Sequence, residues 1–229
     1  MITAAIAFWD EPISNLTRIL LSLEGVAANA VILDGRWNLM PGDNTNSPEE
    51  QHQAIATTCD QIGLPYGLYL THEPFDTQVS KRSALMHLAH TIGHQPWTLV
   101  IDGDEHITQA NPPDLHRQLA HSQHDVATVT GTKYGNGMRT GSRPIRRIYR
   151  TSSRVTVKIA HNGYCTPDGK WLHGDSAFVT LEPTEDCSPH LTISNQVGSR
   201  GNSRNQAAQK YRQARVDHRV ERWPRGLKT

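Results

Sequence analysis

The 229-residue chain has 36% hydrophobic residues, enough for one sizeable domain with a buried core, and a formal charge of only +1. No apolar run approaches the roughly 20 residues that span a bilayer, "MITAAIAFWDEP" lacks a basic leader, and Cys59, Cys165 and Cys187 show no CxxC pairing. A membrane span, a signal peptide, a disulfide framework and a thiolate zinc site are therefore disfavoured, and a cytoplasmic setting is expected.

Apolar strands alternate with amphipathic helices through the first half. "TAAIAF" predicts a strand, Ile13 to Leu23 a helix, and "NAVILD" a second strand ending in Asp34. "NSPEEQHQAIATTCDQIG" predicts a helix with Ser47 as N-cap, Pro48 at its first position, Glu50 closing a capping box and Gly63 just past its end. "PYGLYLT" is a third strand. "DTQVSKRSALMHLAHTIG" is a third helix, with Val79, Leu85, Met86, Leu88, Ala89 and Ile92 on or near one face. The fourth strand is "WTLVIDGDEHI"; a short helix in "PPDLHRQLAHS" and a fifth strand in "DVATVT" follow. Repeated β-α-β units imply an α/β domain with a mostly parallel sheet and helices on both faces.

The second half reads differently. Residues 1 to 125 hold 5 Lys and Arg against 15 Asp and Glu, whereas residues 126 to 229 hold 18 against 7. Between Val126 and Pro167 there is no acid, and Lys133, Arg139, Arg143, Arg146, Arg147, Arg150, Arg154 and Lys158 all fall there. Such a block marks an anion-facing surface or a solvated strand face. "YGNGMRTGSRP" predicts a flexible loop, "IRRIYR", "RVTVKIAHNGYC" and "KWLHGDSAFVTL" predict shorter strands, "TPDG" predicts the turn between the last two, and Ser199 to Arg222 a basic helix. With no repeat or linker, residues 1–229 form one domain, divided at about residue 125 into an acidic half and a basic, β-rich half.

Asp102, Asp104 and Glu105 stand at the carboxyl end of the fourth strand, where open α/β sheets place ligands. Asp-x-Asp there can supply oxygen ligands to a hard divalent cation, the remaining positions going to water and phosphate oxygens. A solvated Asp-Gly turn is the plainer alternative. His87, His90 and His94 also have metal-binding spacing on the third helix, but no acid on that helix completes a set.

Five pieces occur in sequence: "AIAFWDE", "LLSLEGV", "AVILDGRW", "KRSALMHLA" and "WTLVIDGDE". Their order and spacing resemble the family-2-type glycosyltransferases of the GT-A fold, over a little under half the chain. The resemblance implies a Rossmann-like domain that binds a nucleotide diphosphate sugar with Mn²⁺ or Mg²⁺. It implies that Phe8 and Glu11 line the nucleobase pocket, that Asp34 accepts a hydrogen bond from the base, and that Lys81 and Arg82 face the base or diphosphate. Asp102 would meet ribose and metal-bound water, and Asp104 would ligate the metal. Asp34 as the start of a turn and Lys81 as a solvated helix residue remain the alternatives.

The family's extended "D-T-G-S-x-D" segment is replaced here by "DGRWNLMPGDNTNS". Its downstream "R-x-F-R…V-H-E" pattern is met by Arg147, Tyr149 and His161, with Asn162 where the acid would stand. An inverting transfer needs a base for the acceptor hydroxyl. If "TPDG" is the turn, His161 lies opposite Gly174 or Asp175, so His161 is the candidate base, phosphate contact or further metal ligand, with Asp175 as its partner. These expectations describe a metal-dependent glycosyltransferase acting on an unknown, possibly anionic acceptor. A nucleotidyltransferase on a related sheet and a binder of nucleic acid or another anionic polymer are the competing readings.

Overall fold

In the computed structural model the described residues are 1–195 apart from 39, 41, 136–137, 160–162, 166, 168–177 and 181–190. His161, Asp175, Cys187 and the expected C-terminal helix lie outside them.

The central strand is β1 (Ile2–Phe8), with β2 (Asn29–Asp34) parallel on one side and β4 (Trp97–Asp102) parallel on the other. Its alternation is used on both faces. Ile2, Ala4, Ile6 and Phe8 face α1 (Ile13–Leu21) and α2 (Glu49–Gln61) through Leu16, Ile19, Leu20, Ile55 and Cys59. Ala5 meets α3 (Gln78–Ile92), where Leu85, Met86 and Ala89 pack with Val31 and Val100. Each fully buried Ile or Leu contributes about 1.5–3 kcal/mol by leaving water, so this two-sided core, with β3 (Tyr66–Tyr69) at its parallel edge, fixes the sheet's register. The register sets Phe8 beside Asp34 and Ala7 beside Asp102, so both strand-ending acids flank the carboxyl end of β1.

β5 (Glu105–Ala110) and α4 (Pro112–His121) follow β4, then the long strands β6 (Val126–Gly135) and β7 (Met138–Arg150). β8 (Thr156–Ile159), β9 (Gly163–Cys165), β10 (Phe178–Thr180) and β11 (Leu191–Asn195) complete the described elements. The main sheet has the order β3-β2-β1-β4-β7-β6-β11-β5, with β10 also on β6. It is mostly parallel, but β7 runs antiparallel to both β4 and β6, and β11 antiparallel to β5.

Four expectations are corrected. The glycine-rich stretch read as a flexible loop is largely strand: Lys133, Tyr134 and Gly135 pair with Gly141, Arg139 and Met138, continuing the ladder that Val126 to Thr132 make with Ser142 to Tyr149. Residues 154–165 do not make one strand, since Thr156 and Val157 of β8 pair back onto Cys165 and Tyr164 of β9; the alignment that set His161 opposite Asp175 loses its basis. The fourth strand breaks after Asp102, and β5 pairs instead with β11 at the far end of the sheet. Ser47 does not cap α2, whose N-cap is Pro48 without a side-chain bond; the Ser47 hydroxyl is drawn to the buried Asp34 carboxylate.

Candidate active site

The site is built around the two-residue connection between β4 and β5. Gly103 donates its N–H to the carbonyl of Ala7 at 2.9 Å, which seats the connection against the end of β1. A Cβ at Gly103 would lie 2.9 Å from both Phe8 Cβ and Glu11 Cγ, so only glycine allows this approach. Glu11 is buried there, and Asp102 and Asp104 are half-buried at the lip.

Two arginines brace these acids. Arg82, buried on α3, pairs with Asp102 Oδ2, and Arg147 of β7 reaches the same oxygen at 3.5 Å while pairing with Glu105 Oε1. The other oxygen of Glu105 accepts the Asp102 N–H at 3.0 Å, closing the turn on itself. Burial pushes the Glu105 carboxyl up to about 7 despite the opposing pull of Arg147, and nearby Asp102 and Asp104 add to the rise. Arg147 owes its aim to a bulge. Ala127 pairs with Ile148 and Thr128 with Arg146, which leaves Arg147 as the extra residue on β7. Such a residue leaves the regular pleat and its side chain is redirected.

On the other flank, Asp34 is fully buried and its oxygens accept from Ser47 N at 2.7 Å and Ser47 Oγ at 2.8 Å, with His52 Nε2 at 2.9 Å. His52 in turn stands edge-on to Phe8, with ring centroids 6.4 Å apart. Lys81 is not solvated: it is 2% exposed, and its Nζ donates to the carbonyls of Phe8 and Gly35, both at 2.5 Å, beneath the Trp37 ring. Burial lowers its pKa to about 8. It joins the ends of β1 and β2, where the Phe8 carbonyl also accepts the Gly35 N–H at 3.4 Å.

Phe8, Glu11, Asp34, Lys81, Arg82, Asp102 and Asp104 thus converge on one edge, as their sequence positions implied, although Asp34 and Lys81 are already engaged by the protein. Sequence reasoning passed over His52, and it read Ser47 only as a helix cap, because their roles depend on a carboxylate remote in sequence. Glu105 and Arg147 were both named, but not their pairing with each other. Among the described residues, no group of three or more His, Cys, Asp and Glu could hold a metal ion, the His87, His90 and His94 run included. The hard oxygens of Asp102 and Asp104 do fit a cation shared with a diphosphate and water, which needs only one or two carboxylates.

No family model and no curated protein matches the sequence. Solved structures do match it. S. aureus TarS 1-349 in complex with UDP-GlcNAc superposes with a TM-score of 0.56 at 13% identity, covering 86% of this chain and 59% of that one. S. aureus TarS matches with a TM-score of 0.55 at 13% identity, covering 86% of this chain and 36% of that one. The chain has a GT-A-type glycosyltransferase fold. It spans less than two thirds of each of these TarS chains. In this GT-A arrangement, the edge where β1, β2 and β4 end is also the edge where Asp102 and Asp104 stand. Among the described residues, no helix is long and apolar enough to cross a membrane.

Proposed function

We propose that this chain is a metal-dependent glycosyltransferase of family-2 type that moves a hexosyl or related sugar from a nucleotide diphosphate to an acceptor hydroxyl, in the cytoplasm. The observation that carries this reading is the Asp102-Gly103-Asp104 turn, held by Gly103 against the end of β1 and braced by Arg82 and Arg147. The fold shared with a protein solved with UDP-GlcNAc supports a nucleotide sugar donor.

In this reading Phe8, Glu11 and Asp34 form the base side of the crevice. Asp34 acts through the residues it holds, because its carboxylate is buried under Ser47 and His52. Lys81 keeps the ends of β1 and β2 together beneath the nucleotide. Arg82 holds Asp102 for ribose and metal-bound water, and Asp104 is the direct ligand. The bound cation would neutralise charge on the departing diphosphate. As the acceptor oxygen bonds to the sugar's anomeric carbon, the bond to the diphosphate oxygen breaks and the hydroxyl proton passes to a base. His161 is the candidate for that base and lies outside the described residues, as does Asp175, whose pairing with it the strand register no longer supports. A pure nucleic-acid binder would have no use for the acid turn.

The test is calorimetry and thermal unfolding with UDP-GlcNAc and other nucleotide sugars, with and without Mn²⁺. Donor at 100 times its dissociation constant should stabilise the fold by about 2.7 kcal/mol. Asp104→Asn should keep the fold, abolish turnover and remove the Mn²⁺ dependence of donor binding. Equal donor affinity with and without Mn²⁺ in the wild type would refute metal dependence.

A further inference from the structure

β1 ends at Phe8, yet Phe8 Cβ and Glu11 Cγ both come within 2.9 Å of the point that a Cβ on Gly103 would occupy. The chain therefore reverses within the two residues between them, Trp9 and Asp10. Asp10 lies in the left-handed region, at φ +47°. Aspartate tolerates that region better than most residues but does not favour it, so the turn depends on what holds it. The Asp10 N–H donates to Ser47 Oγ at 2.7 Å, and Gln51 Nε2 donates to Asp10 Oδ1 at 3.3 Å.

Ser47 is fixed in turn by Asp34. Its hydroxyl donates to Asp34 Oδ1 at 2.8 Å and its N–H to Asp34 Oδ2 at 2.7 Å. A hydroxyl has a single proton. With that proton committed to the carboxylate, the Ser47 oxygen can only accept from Asp10, and the charge on Asp34 strengthens both bonds. An amide at position 34 could donate as well as accept, which would let the Ser47 proton point elsewhere; a carboxylate cannot. The Asp34 side chain is fully buried and has no surface to offer a ligand. Its influence emerges at the other end of the relay. The Asp10 turn sets Glu11 against Gly103, and Gly103 seats the acid turn on the Ala7 carbonyl at 2.9 Å.

We propose that Asp34 is a positioning residue for the Asp102–Asp104 turn, acting through Ser47, Asp10 and Glu11, and is not the group that reads the nucleobase. The relay begins at the end of β2, passes the end of β1 and arrives at the end of β4, so it ties together the three strand ends that define the crevice. Its consequence for cation and diphosphate rests on the glycosyltransferase reading; the relay itself does not.

The test uses the full chain and four variants. Ser47→Ala removes the acceptor for Asp10, Ser47→Thr keeps it, Asp34→Asn frees the Ser47 proton, and Asp10→Val opposes the left-handed turn without touching Asp34. In the ligand-free proteins, hydrogen exchange at the Asp102 and Gly103 amides should be about fivefold faster or more in Ser47→Ala, Asp34→Asn and Asp10→Val. It should be near wild type in Ser47→Thr, and the β6 amides should be unchanged throughout. Pyrophosphate with Mn²⁺, a probe without a base, is then titrated by calorimetry beside UDP in EDTA. Ser47→Ala should weaken the Mn²⁺-pyrophosphate complex about 10–100-fold and leave UDP in EDTA close to wild type. Unchanged exchange at Asp102 and Gly103 in Ser47→Ala or Asp10→Val, no recovery in Ser47→Thr, or a loss confined to UDP in EDTA would overturn the proposal, the last by returning Asp34 to the base. If exchange behaves as expected while neither probe binds wild type, the donor reading fails and the relay stands.

Discussion

Lys81 and Gly103 show how single positions hold the crevice in shape. The Lys81 amine has lost its hydration and faces two carbonyls, a demand that a neutral amine with two N–H donors also meets. Its folded pKa of about 8 is below the ordinary 10.5, so between those values the unfolded chain binds a proton that the native chain does not. Stability from this group is fully present above pH 10.5 and is lost as pH falls to about 8, a slope of at most about 1.4 kcal/mol per pH unit. Urea unfolding across that window should show the rise in wild type and a flatter profile in Lys81→Met. That variant should also be less stable at pH 10, because the Phe8 and Gly35 carbonyls lose the Lys81 amine and Phe8 keeps only the longer bond from the Gly35 N–H. Gly103→Ala tests space alone. Its Cβ would meet the Phe8 Cα at 3.2 Å as well as two side-chain atoms at 2.9 Å, and a backbone atom cannot swing aside. A loss of about 1–3 kcal/mol is expected in denaturant, together with weaker UDP binding. At this scale the sequence was informative about identity and poor about state. "KRSALMHLA" singled out Lys81 and Arg82, but nothing in a helical pattern marks a lysine as buried until the strand ends above it are known.

Elements explain what residue patterns left unread. The helices of the first half were legible from their apolar spacing, and Gly63, at φ +63°, follows α2 as expected. The start of α2 was misread because a nearby buried carboxylate outcompeted the helix end for the Ser47 hydroxyl. Ser47→Ala should therefore cost about 1–3 kcal/mol through Asp34, and it should leave the helicity of α2 unchanged by circular dichroism. β7 is the clearest case of hidden geometry. Five arginines in "MRTGSRPIRRIYR" suggest a solvated or anion-facing strand, and only the register reveals that one of them is an inserted residue directed at Glu105. Arg147→Ala would remove the pull that opposes burial, so Glu105 would take up a proton and lose its charged hydrogen bond, a loss of about 1.5–3 kcal/mol. Adding Glu105→Gln should restore part of it, and a double-mutant cycle by denaturant unfolding measures the coupling; strictly additive losses would mean that the two side chains do not act together.

Over the whole molecule, alternation of strand and helix revealed the α/β class and the edge where the acids gather. It could not reveal a sheet in which β7, β6 and β11 lie between β4 and β5, because period-two patterns say which face a strand buries and nothing about its neighbours. That order has a consequence for how the molecule is made. The strand pairing described for β5 is with β11, which sets Glu105 beside Asn195, ninety residues later in the chain. During synthesis the parallel core from β1 to β4 can assemble early, but the strand that follows the acid turn waits for a partner not yet translated. A nascent chain halted at residue 190 should thus have a formed parallel sheet and a turn held by Gly103, Arg82 and Arg147, with β5 still lacking its β11 partner. Protection of the β5 amides from hydrogen exchange should therefore appear only after β11 has emerged.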